Sequence, residues 1–416
     1  MKSYTPFQYM LIDLANHFGL DKVTFEERIQ WATDNIKNLE ALSAQAETVP
    51  LYKKAVLAIR QVQSGKPTGH LVGLDSVCSG IQIMSAITGC IAGATATGLV
   101  DPDVRADAYS SLTQAMNNIL IQQGLSVDIS RDNAKRAMMT SFYGSNLVPK
   151  EVFGEDTPEL NAFYQAANIV APGAWELLQE LLSSWQANAK VHAWTLPDGF
   201  YARVKVMQKK EARIEVDELD HATFTYYYYE NEGTKSGLSN AANVIHSIDA
   251  YILRSMHRRC NYKPNELINA LSILNAEINY RNTYATSYHG RTPSPKLAYY
   301  LEQYERSKMT DITMIPYLTY EDAKAIPTSL LIKLREICMS MNEHAPFEII
   351  TIHDEYKCSP KYMEQLRKHY IEIFAELADS EILSDILSQI HGVKGTYTKK
   401  SNNLSSLILK SNYALT

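Results

Sequence analysis

The sequence predicts an α+β fold in which short antiparallel strands sit among long helical stretches. Three observations predict it. Helical spacing and capping signals run through residues 1–66 and again through residues 103–189. Two short apolar runs, HLVGLD at 70–75 and FEIITIHDEYKCS at 347–359, read as strands that carry acidic residues at their ends. A Pro197-Asp198-Gly199 turn signal is followed by YARVKVMQ, ARIEV and TFTYYYYE, which read as antiparallel strands.

Length and composition bound the function classes. A chain of 416 residues can bury a sizeable core and hold two or three subdomains. With 45% hydrophobic and 21% charged residues it reads as an ordinary soluble globular protein. A net charge of −6 does not advertise nucleic-acid binding, but phosphate contacts need only a local basic patch. The five cysteines lie far apart, without CxxC or zinc spacing, so reduced thiols in a cytoplasmic compartment are expected. Asp13, Asn16 and His17 interrupt the first apolar run, so no signal peptide is expected, and no stretch reaches the length of a membrane span.

In chain order, residues 1–66 predict three helices with a packing role. Thr24 and Glu27 form a capping-box pattern ahead of an amphipathic run to about Ala46; Pro50 opens the next helix and Gly65 closes it. The strand at 70–75 ends in Asp75, then enters the small-residue stretch SVCSGIQIMSAITG. An Asp there suits a metal ligand and a helix N-cap equally. A helix is predicted over 103–123. The stretch 131–144, RDNAKRAMMTSFYG, has helical spacing that sets Arg131, Lys135, Met139 and Tyr143 on one drifting stripe. Cation, cation, thioether and phenol make a poor core face. They suit phosphates at one end and a flat ring or sugar at the other, helped by the helix N-terminus. The plainer alternative is a surface helix with snorkelling cations.

Residues 157–189 are predicted helical, with Trp175 and Trp185 in the core. Tyr226 to Tyr229 alternate faces on a strand, so half-buried sheet packing is expected rather than base stacking. A helix over 239–259 carries His246, Asp249, Arg254, Arg258 and Arg259. Residues 265–330 read as a helical module with turn signals at Pro293, Pro295, Pro316 and Pro327. At 347–359 two strands flank Asp354 and Glu355 as a hairpin with a charged turn, and helices and a tail follow to Thr416.

Two aspartates from distant strands with a cationic helix between them in sequence are what two-metal nucleotidyl transfer requires. Two Mg²⁺ ions about 4 Å apart stabilise the attacking and leaving oxygens, and Mg²⁺ takes only one or two protein carboxylates beside substrate phosphates. On these residues the chain resembles the single-subunit RNA polymerases of phages and mitochondria. LDSVCSGIQIMSA resembles that family's motif A, RDNAKRAMMTSFYG its motif B and IHDE its motif C. NVIHSIDAYILR resembles the stretch that precedes motif C. The resemblance covers roughly residues 70–260 and 335–400. It implies a palm-and-fingers fold, with an antiparallel palm sheet and mostly helical fingers. It implies Asp75 and Asp354 as ligands of two Mg²⁺ ions, Arg131 and Lys135 on the triphosphate, and Tyr143 closing the nucleotide pocket. His246 would contact the growing end's base pair, with Arg254 also toward nucleic acid. Related DNA polymerases carry a Glu at the position of Gly80 and an aromatic at that of Met139. Gly80 and Met139 therefore imply ribonucleotides, with Tyr143 able to hydrogen-bond the ribose.

Two departures bear on this. Glu355 follows Asp354 as in DNA polymerases, which keeps a DNA polymerase as a rival; a non-catalytic nucleic-acid-binding subunit is a second. The family's upstream DxxGR stretch is missing, and the only GR pair, Gly290-Arg291, comes after motif B. With about seventy residues before motif A, the thumb and N-terminal domain are expected to be absent. The chain then resembles the larger, catalytic subunit of a split, two-chain polymerase of the N-four phage type. A second polymerase subunit, DNA template, RNA product and ribonucleoside triphosphates are the implied partners, with no membrane, in the cytoplasm of an infected bacterial host if the source is a phage. The expected divisions are 1–66 (helical), 67–130 (palm, motif A), 131–195 (fingers, motif B), 196–264 (palm strands and helix), 265–330 (helical insertion) and 331–416 (palm, motif C).

Overall fold

A computed structural model describes residues 1–186, 188–233, 238–284 and 292–416. Helices α1 (Pro6–Phe18), α2 (Phe25–Asp34) and α3 (Val49–Gln63) come first. Thr5 and Thr24 each close a full capping box, with Gln8 and Glu27 as the reciprocal partners. Where the sequence predicts one amphipathic run to Ala46, α2 ends at Asp34. From there the backbone bonds tighten to the i−3 carbonyl, as from Ile36 to Thr33 and Asn38 to Asn35, and Asn35 Nδ2 caps the Trp31 carbonyl at 2.8 Å.

Strand β1 (Val72–Asp75) is buried up to its last residue. Asp13 of α1 anchors its start, accepting from Gly73 N at 3.0 Å and bonding His70 Nε2 at 2.8 Å. Helices α4 (Ser79–Thr88), α5 (Ile91–Ala96), α6 (Ala108–Gln122), α7 (Arg131–Ser141), α8 (Leu147–Phe153), α9 (Pro158–Val170) and α10 (Pro172–Ser183) follow. The predicted helix over 103–123 begins later, because Asp107 is its N-cap and accepts from Tyr109 N. Trp175 and Trp185 pack against the core while remaining partly exposed.

The strands at 191–233 form two separate hairpins, β2 (Val191–Thr195) with β3 (Tyr201–Lys205), and β4 (Met207–Val216) with β5 (Ala222–Gly233). The second is a two-stranded ribbon. Tyr228 is half-buried as expected, but Tyr226 and Tyr227 are 48% and 58% exposed, since β4 and β5 pair only with each other among the described residues. Helix α11 (Leu238–Cys260) then runs into the body. Helices α12 (Pro264–Tyr284), α13 (Pro295–Ser307), α14 (Tyr320–Ala323) and α15 (Thr328–Asn342) enclose a second hydrophobic cluster, from Leu267 to Met341. The Gly290-Arg291 pair lies outside the described residues.

Strands β6 (Ile350–Ile352) and β7 (Glu355–Cys358) form the predicted hairpin around the turn residues His353 and Asp354. Helices α16 (Met363–Asp379), α17 (Ile382–His391) and α18 (Leu404–Ile408) complete the element order. Strands β1, β7 and β6 make one antiparallel sheet in that order, with Asp75 paired to Glu355. The main core gathers α1–α4, α6, α7, α9–α11, α16 and α17 around this sheet. The tail is structured too: Thr416 N donates to Asp75 O at 2.8 Å, Asp75 N to Thr416 O at 3.2 Å, and Arg28 Nη2 to Thr416 Oγ1 at 2.7 Å. Among the described residues no helix is long and apolar enough to cross a membrane. The five cysteines are unpaired.

Candidate active site

The sheet register brings the two aspartates together. Asp75 ends β1 opposite Glu355, and Asp354 occupies the turn just before Glu355. His353 holds a left-handed φ of 56°, an unusual conformation for a residue with a Cβ, and so turns the chain over the end of β1. Ser76 N donates to Asp354 O at 3.3 Å, and Ser76 Oγ to Asp354 Oδ2 at 2.7 Å. The N-cap alternative for Asp75 falls away, since the cap position of α4 is Cys78. The Asp75 carboxyl is pushed up to about 6, by desolvation first and then by the charges of Asp354 and Glu355. Glu355 is paired with Lys357 at 2.9 Å, and Gly73 makes room for it, since a Cβ there would collide with Glu355 Oε1.

Helix α7 starts at its N-cap Ser130, which accepts from Asn133 N, and buries Ala134, Ala137, Met138 and Ser141. That leaves the predicted stripe outward: Lys135 is exposed, Met139 is 53% exposed, and Arg131 and Tyr143 are half-buried. Arg131 Nε donates to Asp107 Oδ2 at 2.7 Å, and Lys135 Nζ stands 5.6 Å from the Tyr109 ring centre. Tyr109 links this helix to the acid pair. Desolvation raises its phenol first, and then the charges of Cys78 and Asp354 do. The two cations of α7 thus stand beside Tyr109, whose phenol feels the charge of Asp354.

Tyr143 lies against the His246 ring, 5.0 Å between centres, with its hydroxyl over Gly80. A Cβ at Gly80 would collide with that hydroxyl and lie 2.9 Å from Tyr143 Cζ, so the bare backbone of Gly80 is what lets Tyr143 sit there. Arg254 is drawn elsewhere. Its Nε and Nη2 donate to Asp198 at 2.6 and 3.1 Å, and its guanidinium lies over Phe200.

One acidic residue was named in the sequence without a role. Asp249 lies on α11 one turn after His246, and its carboxyl too is pushed up to about 6, by desolvation first and then by Asp354. The i, i+3 spacing from His246 is the signal that could have found it. The group of His, Asp and Glu side chains closest to one another among the described residues lies elsewhere, at the ribbon tip. It comprises Glu215, Asp217 and His221, all exposed.

Comparison with known proteins agrees with the motifs. Residues 3–156 match the family model of DNA-dependent RNA polymerase. The chain is 26% identical over 170 residues to the mitochondrial DNA-directed RNA polymerase of Neurospora crassa, covering 34% of this chain and 12% of that relative. It is 24% identical over 298 residues to the DNA-directed RNA polymerase of Pseudomonas phage phiKMV, 58% of this chain and 36% of the relative. The same identity holds over 336 residues of the enzyme of Enterobacteria phage K11, 60% and 37% respectively. The chain is thus similar to the phage and mitochondrial DNA-directed RNA polymerases over part of its length. It spans little more than a third of its phage relatives and about an eighth of the mitochondrial one. The family match begins at residue 3, so it takes in α1–α3, for which only a packing role was expected, and it stops well before Asp354.

Proposed function

We propose that this chain is the catalytic subunit of a DNA-directed RNA polymerase, adding ribonucleotides to an RNA 3′ end on a DNA template. The observation that carries this reading is the convergence of Asp75 and Asp354 at one sheet end, with Arg131 and Lys135 of α7 beside Tyr109. The donor set fits Mg²⁺. It is made of hard carboxylate oxygens, and the nearby Cys78 thiol is pushed up to about 11 by burial, so it stays protonated and offers no soft thiolate. Asp75 and Asp354 would hold the two ions, which supply charge stabilisation for the attacking and leaving oxygens.

The chain's own residues do the rest. Lys135 and Arg131 bind the triphosphate and stabilise charge on the departing pyrophosphate, with Asp107 fixing the angle of Arg131. Tyr143 and Met139 border the nucleotide pocket. Gly80 seats the Tyr143 hydroxyl, which would meet a ribose 2′-hydroxyl there, and His246 backs Tyr143 on the side of the growing base pair. Arg254, held by Asp198, fixes the turn between β2 and β3 in this scheme, leaving the nucleic-acid contact to His246. A palm formed by the three-stranded sheet, and fingers formed around α7, follow from the same assignment. A second polypeptide is the partner that this reading proposes beside template, RNA and ribonucleoside triphosphates.

Glu355 motivates the rival DNA polymerase, and a primed-template assay with both sugar types decides between them. Preferential ribonucleotide incorporation is expected, together with a selective loss of it in Gly80→Glu. Preferential deoxyribonucleotide use would overturn the reading. An equal loss of both sugars in Gly80→Glu would limit Gly80 to seating Tyr143.

A further inference from the structure

One residue touches both aspartates. Ser76 is buried, 9% exposed. Its N–H donates to Asp75 Oδ1 at 3.1 Å and to Asp354 O at 3.3 Å, and its hydroxyl donates to Asp354 Oδ2 at 2.7 Å. A β-bridge to Leu415 holds its backbone, and the buried Tyr370, bonded to Gln82 Oε1 at 2.9 Å, stands beside it. Of these contacts, those to Asp354 Oδ2 and to the Tyr370 hydroxyl depend on the side chain at position 76. The backbone bond to Asp75 survives any residue except proline.

An ionised carboxylate has about four lone-pair positions. The Ser76 hydroxyl takes one on Oδ2 and leaves Oδ1 and the rest open to a cation. Asp75 and Asp249 both place negative charge near Asp354. Without a donor on this side, that repulsion favours rotation of the Asp354 side chain away from Asp75. We infer that Ser76 is a positioning residue, which sets the Asp354 carboxylate for a divalent cation shared with Asp75. This rests on the metal reading proposed above and extends it to a residue that the motif resemblance left without a role. Ser76 would act as the outer hydrogen-bond partners of metal ligands do, by orienting the ligand.

The test is Mn²⁺ binding to the full chain without nucleotide, read from the electron paramagnetic resonance signal of the free ion. Wild type, Ser76→Ala and Asp354→Asn are compared, with Mg²⁺ dependence of elongation measured alongside. Ser76→Ala is expected to weaken Mn²⁺ binding about tenfold, the lower end of the scale for removing such a partner. It should raise the Mg²⁺ needed for half-maximal elongation by a similar factor, with the rate at saturating Mg²⁺ nearly restored. Unchanged Mn²⁺ affinity in Ser76→Ala, beside clear binding by wild type and loss in Asp354→Asn, overturns the role of Ser76 alone. A lower saturated rate with an unmoved Mg²⁺ requirement overturns it as well, since that marks a merely structural residue. Absence of binding by wild type brings down the metal reading and this inference with it.

Discussion

Asp354→Asn abolishes elongation and leaves the fold intact. Asparagine keeps the shape of the side chain and an oxygen able to accept from Ser76 Oγ, so the bond that now measures 2.7 Å has a partner in the variant. What is lost is one of the two negative charges that would hold the metal ions. Asp75 alone cannot replace it, because one carboxylate would then have to serve both ions. The same substitution removes repulsion from Asp75 and Asp249, so the metal-free variant should melt no earlier than wild type. Elongation assays with the partner chain present, paired with thermal melts, check both halves. Wild-type elongation by Asp354→Asn would refute the metal assignment. The pH dependence has a definite sign. Folding raises Asp75 and Asp249 above the ordinary carboxyl value of 3.8, so the fold favours their protonated forms. Metal-free stability from these groups is therefore greatest at acid pH and declines as pH rises from about 4 to about 6. Metal binding runs the other way, since a proton on Asp75 competes with the cation, and elongation should fall as pH drops below about 6.

Lys135→Ala lowers the elongation rate on the order of 10²-fold or more, the usual scale for one transition-state electrostatic contact. The structure makes this a clean substitution. Lys135 is exposed, and the Tyr109 ring lies 5.6 Å from its ammonium, so its removal leaves no buried carboxylate behind. Arg131 differs, because losing it strips Asp107 of a partner at 2.7 Å and disturbs the start of α6. Single-turnover incorporation by Lys135→Ala, with melting unchanged, is the measurement. A wild-type rate would remove Lys135 from the site.

Much of the site was legible because local pattern and chemistry agreed. Asp75 closes a four-residue apolar strand and Asp354 sits between two short strands, so both were readable as acids at strand ends. The α7 stripe followed from spacing alone, and its outward face follows from the alanines and Met138 that fill the other side. Other features were not legible, since they depend on contacts distant in sequence. Ser76 reaches Asp354 across 278 positions. The pairing of Thr416 with Asp75 is equally remote. The exposure of Tyr226 and Tyr227 goes with a ribbon that no third strand joins among the described residues, which strand alternation cannot reveal. The early end of α2 shows the reverse case, in which tightened local turns overrode an amphipathic pattern.

The most direct measurement replaces Mg²⁺ with Fe²⁺ and maps the backbone cuts made by the hydroxyl radicals it generates. Cuts clustered beside residues 75 and 354, both suppressed by added Mg²⁺, are the expected result. Cuts confined to the ribbon tip around Glu215, Asp217 and His221, or at only one of the two aspartates, would contradict a shared metal site.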